Sequence, residues 1–575
     1  MTEPTLTRRS RRRETPVEIA ADDLIAYARE WIKDDPDVAL REELEELISA
    51  IEAGEAEALA DLTHRFHGLL EFGTAGLRGA LGAGPNRMNS SVVMRTAAGL
   101  MSYLNGRIGL PTVIVGFDAR LASSQFVRDT ASVVVGAGGR ALVLPRPLPT
   151  PVLAYAVRHL CCDAGIMVTG GHNPALDNGY KVYVGDGAQI APPVDGDIRR
   201  HIERVRRVVD IPQADDGWEV LGDEIASSYV HAVSALVPVG APRDLRIVHT
   251  SLHGVAGEIF KAVLNEAGFP APAVVAEQDA PDPSFPTMEY PSPDEPGALD
   301  LAIALARTKG ADIVLAHDPD GDRCAVAVPD LTVEEGWRKL RGDEVGALLV
   351  WDAVQRGAQP GEVFARSLVS SRLFDRIVDA AGCPRRETLT GSKWISRVEG
   401  LRLGYEESSA FCLAPQIVRD EDGISAGLVI AALAARLKDQ GRTLTDVLDE
   451  LSTTHGVHAT DSFFVRVTDP ALTARIMHRL QSEVTSGSTV AGVAVERAED
   501  LSHPEDSLPA TEGMRYTFAD GSRVVIRPSG TEPKLKVYLE TVVPTQGAPG
   551  LYTARDEAAR RLTALRAAFE SLTLV

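Results

Sequence analysis

Three short strand-like runs, Ala164 to Val168, Asp312 to Ala316 and Arg402 to Tyr405, each end in a segment dense in chemistry-bearing residues. Around them, apolar residues recur at helical spacing. Alternating strands and helices call for sheets covered by helices, and ligands of such sheets sit beyond the carboxyl ends of the strands. The chain is thereby constrained to several α/β blocks, each presenting one loop to a ligand.

The first block runs through strand Thr112 to Phe117, helix Ser123 to Gly138, strand Ala141 to Leu144, helix Pro149 to Leu160 and strand Ala164 to Val168. The second has strand Leu245 to His249, helix Ala256 to Gly268, strand Ala273 to Ala276, helix Leu299 to Gly310 and strand Asp312 to Ala316. The third has helix Glu344 to Arg356, strand Val363 to Val369, helix Arg372 to Ala381, strand Arg402 to Tyr405 and helix Ile424 to Lys438. The last block pairs strands Phe463 to Val467, Arg523 to Ile526 and Leu535 to Glu540 with helices Ala471 to Ser482 and Ala554 to Phe569, as a small α+β domain does. Leu24, Ala28, Trp31, Leu44, Leu47 and Ile48 mark a helical lead-in. The expected class is α/β: three βα domains with mixed or parallel sheets plus a smaller C-terminal α+β domain around a central cleft. The expected boundaries are a disordered basic tail at 1–16, then domains at 17–212, 213–335, 336–458 and 459–575.

A formal net charge of −22 argues against non-specific nucleic-acid binding. It leaves anionic substrates open, because local arginines and a metal dominate one cleft. The five cysteines form no CxxC pair and read as reduced thiols of a cytoplasmic protein. No apolar stretch reaches membrane-span length, and the Arg8–Arg9 pair lacks the apolar run of an export signal. Neither nucleic acid nor a membrane is expected as a partner.

Asp318, Asp320 and Asp322 alternate in a glycine-containing loop, where their carboxylates can converge on a hard cation such as magnesium. A solvated acidic turn is the alternative. An EF-hand is not, since the twelfth position holds Pro329. Arg527, Ser529, Gly530 and Thr531 make either a compact anion cradle or a strand-connecting turn. Glu406 and Ser408 can bond sugar hydroxyls from one loop edge or form a polar surface turn. Cys324 reads as a small core residue rather than a ligand.

Together these segments resemble the α-D-phosphohexomutases. Phe72-Gly-Thr-Ala-Gly-Leu-Arg-Gly79 is similar to that family's first motif, Thr169-Gly-Gly-His-Asn-Pro174 to its catalytic loop, and Asp318-Pro-Asp-Gly-Asp-Arg323 to its metal loop. Gly404-Tyr-Glu-Glu-Ser408 is similar to its sugar loop and Arg527-Pro-Ser-Gly-Thr-Glu532 to its phosphate loop. The resemblance covers roughly residues 60 to 570. The wording of the first motif and of Asp177-Asn-Gly-Tyr-Lys181 points to the branch with phosphopentomutase and many bacterial phosphomannomutase/phosphoglucomutases.

The resemblance implies a mutase interconverting hexose 1-phosphate and hexose 6-phosphate of glucose, mannose or both. It would use Mg2+, a bisphosphate intermediate and a hexose 1,6-bisphosphate activator, as a monomer or dimer. The alternatives are a phosphopentomutase, a catalytically silent phosphosugar binder, or an activity with water as acceptor. By resemblance Arg78, Arg323, His172 and Lys181 serve the transferring phosphoryl group. Thr390, Lys393, Glu406 and Ser408 hold the sugar, and Arg527, Ser529, Gly530 and Thr531 hold the other phosphate; Lys534 lies nearby and either helps there or is a solvated lysine.

Two positions depart from the family. Gly171 stands where the family carries the serine that holds the phosphoryl group, and glycine has no oxygen. Thr169 has a hydroxyl two residues away. Glu421 stands where a lysine is frequent, and Arg419 is the nearby cation that could replace it.

Overall fold

In the computed structural model, which describes residues 20–73, 76–467, 470–504, 508–529 and 534–574, four sheets follow one another along the chain. The basic tail lies outside the described residues. The first sheet runs, in spatial order, Leu77–Ala80, Asp177–Val184, Ala164–Val168, Thr112–Phe117, Arg140–Val143 and Glu219–Val220. The second runs Trp337–Lys339, Cys324–Pro329, Ile313–His317, Ile247–Thr250 and Ala273–Val274, and the third Arg385–Thr388, Val363–Ser367, Leu401–Glu406 and Ala410–Cys412. The fourth is wholly antiparallel, from Val457–Arg466 through Lys534–Val543 and Arg523–Pro528 to Thr489–Val490.

The first three sheets share one device that the sequence reading lacked. Each has a parallel core, and its last parallel strand turns back as an antiparallel neighbour: Ala164–Val168 into Asp177–Val184, Ile313–His317 into Cys324–Pro329, and Leu401–Glu406 into Ala410–Cys412. Antiparallel neighbours can be joined by a short turn, whereas parallel ones need a crossover. The three candidate loops are these turns. The register is tight: Val168 faces Tyr180, His317 faces Cys324 and Glu406 faces Ala410.

The first three units share one apolar core. Leu153 and Tyr183 of the first, Phe260 and Leu315 of the second, and Tyr405, Ile430 and Leu448 of the third belong to one buried cluster. The lead-in helices Ala21–Asp34, Val38–Glu52 and Ala56–Arg65 pack Leu24, Trp31, Leu44 and Leu62 against Phe66 and Val92. Asp34 fixes them by accepting from Arg95 at 2.9 Å and from the Val208 amide at 2.8 Å.

The fourth unit is joined to the third through buried charge. Glu540 accepts from Arg372 Nε at 2.7 Å, from the Ser371 hydroxyl at 3.0 Å and from His458 Nδ1 at 3.1 Å, and pairs with Arg523 at 3.1 Å. Burial raises its carboxyl, but Arg523, His458 and Arg372 outweigh this and hold it well below 4.5. Glu540→Ala would strand the buried Arg523 cation, and breaking such a pair costs about 3–5 kcal/mol. Denaturant unfolding at neutral pH should show a loss of that order. A depressed folded-state value means the contribution is complete above the ordinary glutamate range and lost as pH falls through the depressed value. The gap between parent and variant should therefore close in acid.

Candidate active site

The catalytic-loop candidate starts at Thr169, the residue after strand Ala164–Val168. Gly171 has φ +54°, a left-handed conformation, and its amide donates to Thr169 Oγ1 at 2.9 Å. That bond turns the Thr169 hydroxyl into the loop. A Cβ at Gly171 would lie 2.6 Å from Arg78 Nη2, so the guanidinium occupies the space where a side chain would begin. Arg78 arrives there because strand Leu77–Ala80 pairs Arg78 with Gly179, and it donates to Asn173 Oδ1 at 2.9 Å.

Arg120, unnoticed in the sequence, holds the loop from beneath. It donates to the carbonyls of Gly171, Asn173 and Pro174, each at 2.6 Å, and of Asp177 at 3.1 Å. Asp118 pairs with it at 3.4 Å, fully out of solvent. Its signal was available: an Asp-x-Arg directly after a strand end.

The acidic loop follows Ile313–His317. Gly321 makes the turn at φ +72°, with its amide on Asp318 O at 3.0 Å. Ligand oxygens of Asp318, Asp320 and Asp322 lie within 4.8 Å of one another, and all three residues are buried. Asp318 Oδ2 and Asp320 Oδ1 have no hydrogen-bond partner. Buried carboxylate oxygens without donors are costly, and converging on one point they fit a hard cation taking oxygen ligands. Lys181 Nζ donates to Asp320 Oδ2 at 2.9 Å and also to Asp322, while Thr150 Oγ1 donates to Asp320 at 2.8 Å. Burial raises Asp320, but Lys181 and Arg78 outweigh it and hold the carboxyl below its ordinary range. Burial beside Asp322 and Asp320 pushes Asp318 well up.

One cavity of about 150 Å³ gathers residues of all four units: Arg78 and His172, Asp322 and Arg323, Thr390, Glu406 and Ser408, and Arg527 and Ser529. Glu406, in the cavity wall, accepts from the Gly391 amide, which fixes one of its oxygens. Thr390 Oγ1, Arg323 Nε and Arg527 Nε are buried without partners. Gly530 and Thr531, like Thr74 and Ala75, lie outside the described residues.

Three expected cations are directed elsewhere. Lys393 donates to the Gly73 carbonyl at 3.1 Å, beside the cavity rather than in its wall. Lys534 lies over the Phe464 ring at 4.7 Å, and Lys536, two residues on, lines the cavity in its place. Arg419 does not replace a lysine at 421, because it is held by Asp186 at 2.8 Å and by the Ser396 carbonyl at 2.9 Å. Glu421, singled out in the sequence, and Glu407 of the sugar-loop motif line the cavity, and Gln189, Lys536 and Tyr538 do so without having been anticipated. No local pattern announced Gln189, Lys536 or Tyr538.

The electrostatics sort the wall into roles. Burial, then Arg323, Arg78, Lys536 and Lys181, push His172 well below 6.5, so it is neutral and can accept a proton at neutral pH. Burial beside Glu406 and Asp343 lifts Glu407 to about 7. Asp322 and Asp318 outweigh burial to raise Arg323, which keeps its charge.

Comparison with known proteins places the chain in a family. Models of the phosphoglucomutase/phosphomannomutase alpha/beta/alpha domains I, II and III match residues 69–208, 227–332 and 341–455, and the C-terminal domain model matches 465–548. The "Probable phosphomannomutase" of Haemophilus influenzae is 41% identical over 79% of this chain and 93% of its own length. Human phosphopentomutase is 32% identical over 90% of this chain and 91% of its own. A phosphoglucomutase/phosphomannomutase family protein of Burkholderia thailandensis shares the fold at a TM-score of 0.64 and 20% identity, over 86% of this chain and 97% of the other. No helix among the described residues is long and apolar enough to cross a membrane. The chain belongs to the phosphoglucomutase/phosphomannomutase family, the α-D-phosphohexomutases, and is an enzyme of the phosphosugar-mutase class.

Proposed function

We propose that the cleft takes hexose phosphates of the glucose or mannose type and is built to exchange phosphate between their 1- and 6-positions by way of a bisphosphate. The observation that carries this is the pairing of two cation groups in one cavity. Arg78, Lys181 and Arg323 come from the first two units, and Arg527 and Lys536 from the fourth, with Glu406 and Ser408 also in the wall. A ligand with phosphate at both ends and hydroxyls between satisfies both groups at once.

In this reading Arg527 and Ser529 grip the phosphate that is not reacting, since arginine offers paired donors to phosphate oxygens. Glu406 and Ser408 orient the sugar. Arg78 and Arg323 neutralise the phosphoryl group in transfer, where positioning and charge compensation supply most of the catalysis. His172 accepts the proton of the attacking sugar hydroxyl. Asp318, Asp320 and Asp322 would hold Mg2+, which supplies further charge neutralisation at that group. Gly171 cannot store a phosphoryl group, so mutase turnover is limited at this one position.

The match to phosphopentomutases over nine-tenths of the chain favours pentose phosphates as the second reading. Calorimetric titration with glucose 1-phosphate, mannose 1-phosphate and ribose 1-phosphate separates the two. The hexose phosphates should bind more tightly, and Arg527→Ala should weaken all ligands alike. Preferential binding of ribose 1-phosphate would replace the first reading by the second.

A further inference from the structure

Glu421, like Glu407 and Tyr538, is an ionisable group of the cavity that the mutase reading leaves without work, and its chain packs against Arg323 at Gly423, two residues on. Its backbone is locked beside the phosphoryl end. Asp422, the next residue, caps helix Gly423–Asp439 by accepting from the Ser425 amide at 3.0 Å and also accepts from Tyr229 OH at 2.8 Å. The Asp422 amide donates to Phe411 O at 2.9 Å. Gly423 lies so close to Arg323 that a Cβ there would collide with the Arg323 backbone. The Glu421 carboxylate thus opens on the cavity next to Arg323, with Asp322, Glu406 and Asp420 as its other charged neighbours.

No hydrogen bond or ion pair to a described residue holds that carboxylate. A partly buried carboxylate set among three others, with one arginine opposite, is destabilising for the fold. Such groups cluster where chemistry needs them.

The second observation concerns nucleophiles. The cavity-lining residues of the first two units are Arg78, His172, Lys181, Gln189, Asp322 and Arg323. None carries a hydroxyl or thiol. Gly171 has no side chain, and Thr169 is buried and bonded within the loop. A phosphoryl group held by Arg78, Lys181 and Arg323 therefore meets no hydroxyl or thiol from the two units that hold it, while the Glu421 carboxylate lines the same cavity beside Arg323.

We propose that this chain hydrolyses sugar phosphomonoesters at this site, with Glu421 as the general base for water. The water oxygen forms a bond to phosphorus while its proton passes to the Glu421 carboxylate. The bond between phosphorus and the sugar oxygen breaks, and the sugar oxygen takes up a proton from solvent as Glu421 returns its own. The net change is sugar phosphate plus water to sugar hydroxyl plus inorganic phosphate, with no oxidant or co-substrate. Arg78, whose guanidinium fills the place of a residue-171 side chain, compensates the charge that builds on the phosphoryl oxygens. The proposal rests on the phosphosugar reading of the cleft.

The test pairs binding with phosphate release. Glucose 1,6-bisphosphate is titrated calorimetrically into the parent chain with magnesium present, and inorganic phosphate is then followed in water enriched in oxygen-18. The parent should bind the bisphosphate and release phosphate carrying the label. General-base help contributes about 10²–10⁴-fold, so Glu421→Gln should lower release by about a hundred-fold or more. The same variant should still bind the bisphosphate, because Glu421 is not among the cations that hold the phosphates. A residue with only a structural role would not show that split. Glu421→Asp, with its carboxylate one methylene back, should keep part of the release. Binding without release by the parent overturns the proposal and leaves the phosphosugar reading standing, while absence of binding overturns both. Equal release by parent and Glu421→Gln assigns the base elsewhere and also overturns it.

Discussion

Gly171→Ser is expected to raise interconversion of glucose 1-phosphate and glucose 6-phosphate, or of the mannose phosphates, by at least about a thousand-fold. Removing a covalent nucleophile has cost on the order of a million-fold in a well-studied hydrolase, and the serine supplies one hydroxyl oxygen here. The loop is prepared for it. Arg120 fixes the carbonyls of Gly171, Asn173 and Pro174, so the backbone that would carry the serine is already held. Two costs oppose the gain. A non-glycine residue at φ +54° is strained by about 1–2 kcal/mol. Arg78 must also move off the space its Nη2 now fills, 2.6 Å from a Cβ at 171. That atom is the far end of a flexible side chain, so the displacement is small in energy. Gly171→Ala meets both costs and brings no oxygen, and it should gain nothing in the same coupled assay. A folded but inert serine variant would mean that the loss extends past Gly171, with Glu421 the next residue to change.

The second large effect belongs to the acidic loop. Asp320→Ala removes one of three converging carboxylates, and magnesium affinity should fall by more than the roughly 10–100-fold that outer-sphere changes cost in metal sites. Residual activity should fall with it. The variant also takes a partner from buried Lys181, which keeps Asp322. Asp320→Asn, which preserves shape and one acceptor oxygen, separates loss of the metal from loss of the fold. Unchanged magnesium titration by either folded variant would remove Asp320 from the ligand set.

Much of this architecture was legible in the sequence for local reasons. Thr112–Phe117 and Ala164–Val168 are strands at the expected residues, because β-branched and apolar runs bounded by turns have few alternatives. The alternating aspartates and the order of the four loops were equally plain. What was missed depends on partners distant in sequence. Asp177–Val184 begins Asp-Asn-Gly, which reads as a turn, and becomes a strand through pairing with Ala164–Val168. Cys324–Pro329 ends in proline and shows no alternation, yet it is the return strand beside Ile313–His317. Leu444–His455 had a visible signal in Thr443 and Asp446, which form a capping box, and was overlooked. The site followed the same division. Glu406 and Ser408 lie where a strand end delivers them, whereas Lys393, Lys534 and Arg419 sit in the right stretches with side chains directed away. Gln189 and Tyr538 reach the cavity only because separate units fold around it.

The central claim is that this is a phosphosugar-mutase cleft whose phosphoryl carrier lacks its oxygen at residue 171. Intact mass after incubation with glucose 1,6-bisphosphate and magnesium tests it most directly. The Gly171→Ser chain should gain the mass of one phosphoryl group, located on residue 171, and the parent chain should gain none. A parent chain that becomes phosphorylated, or a folded serine chain that does not, would contradict the account.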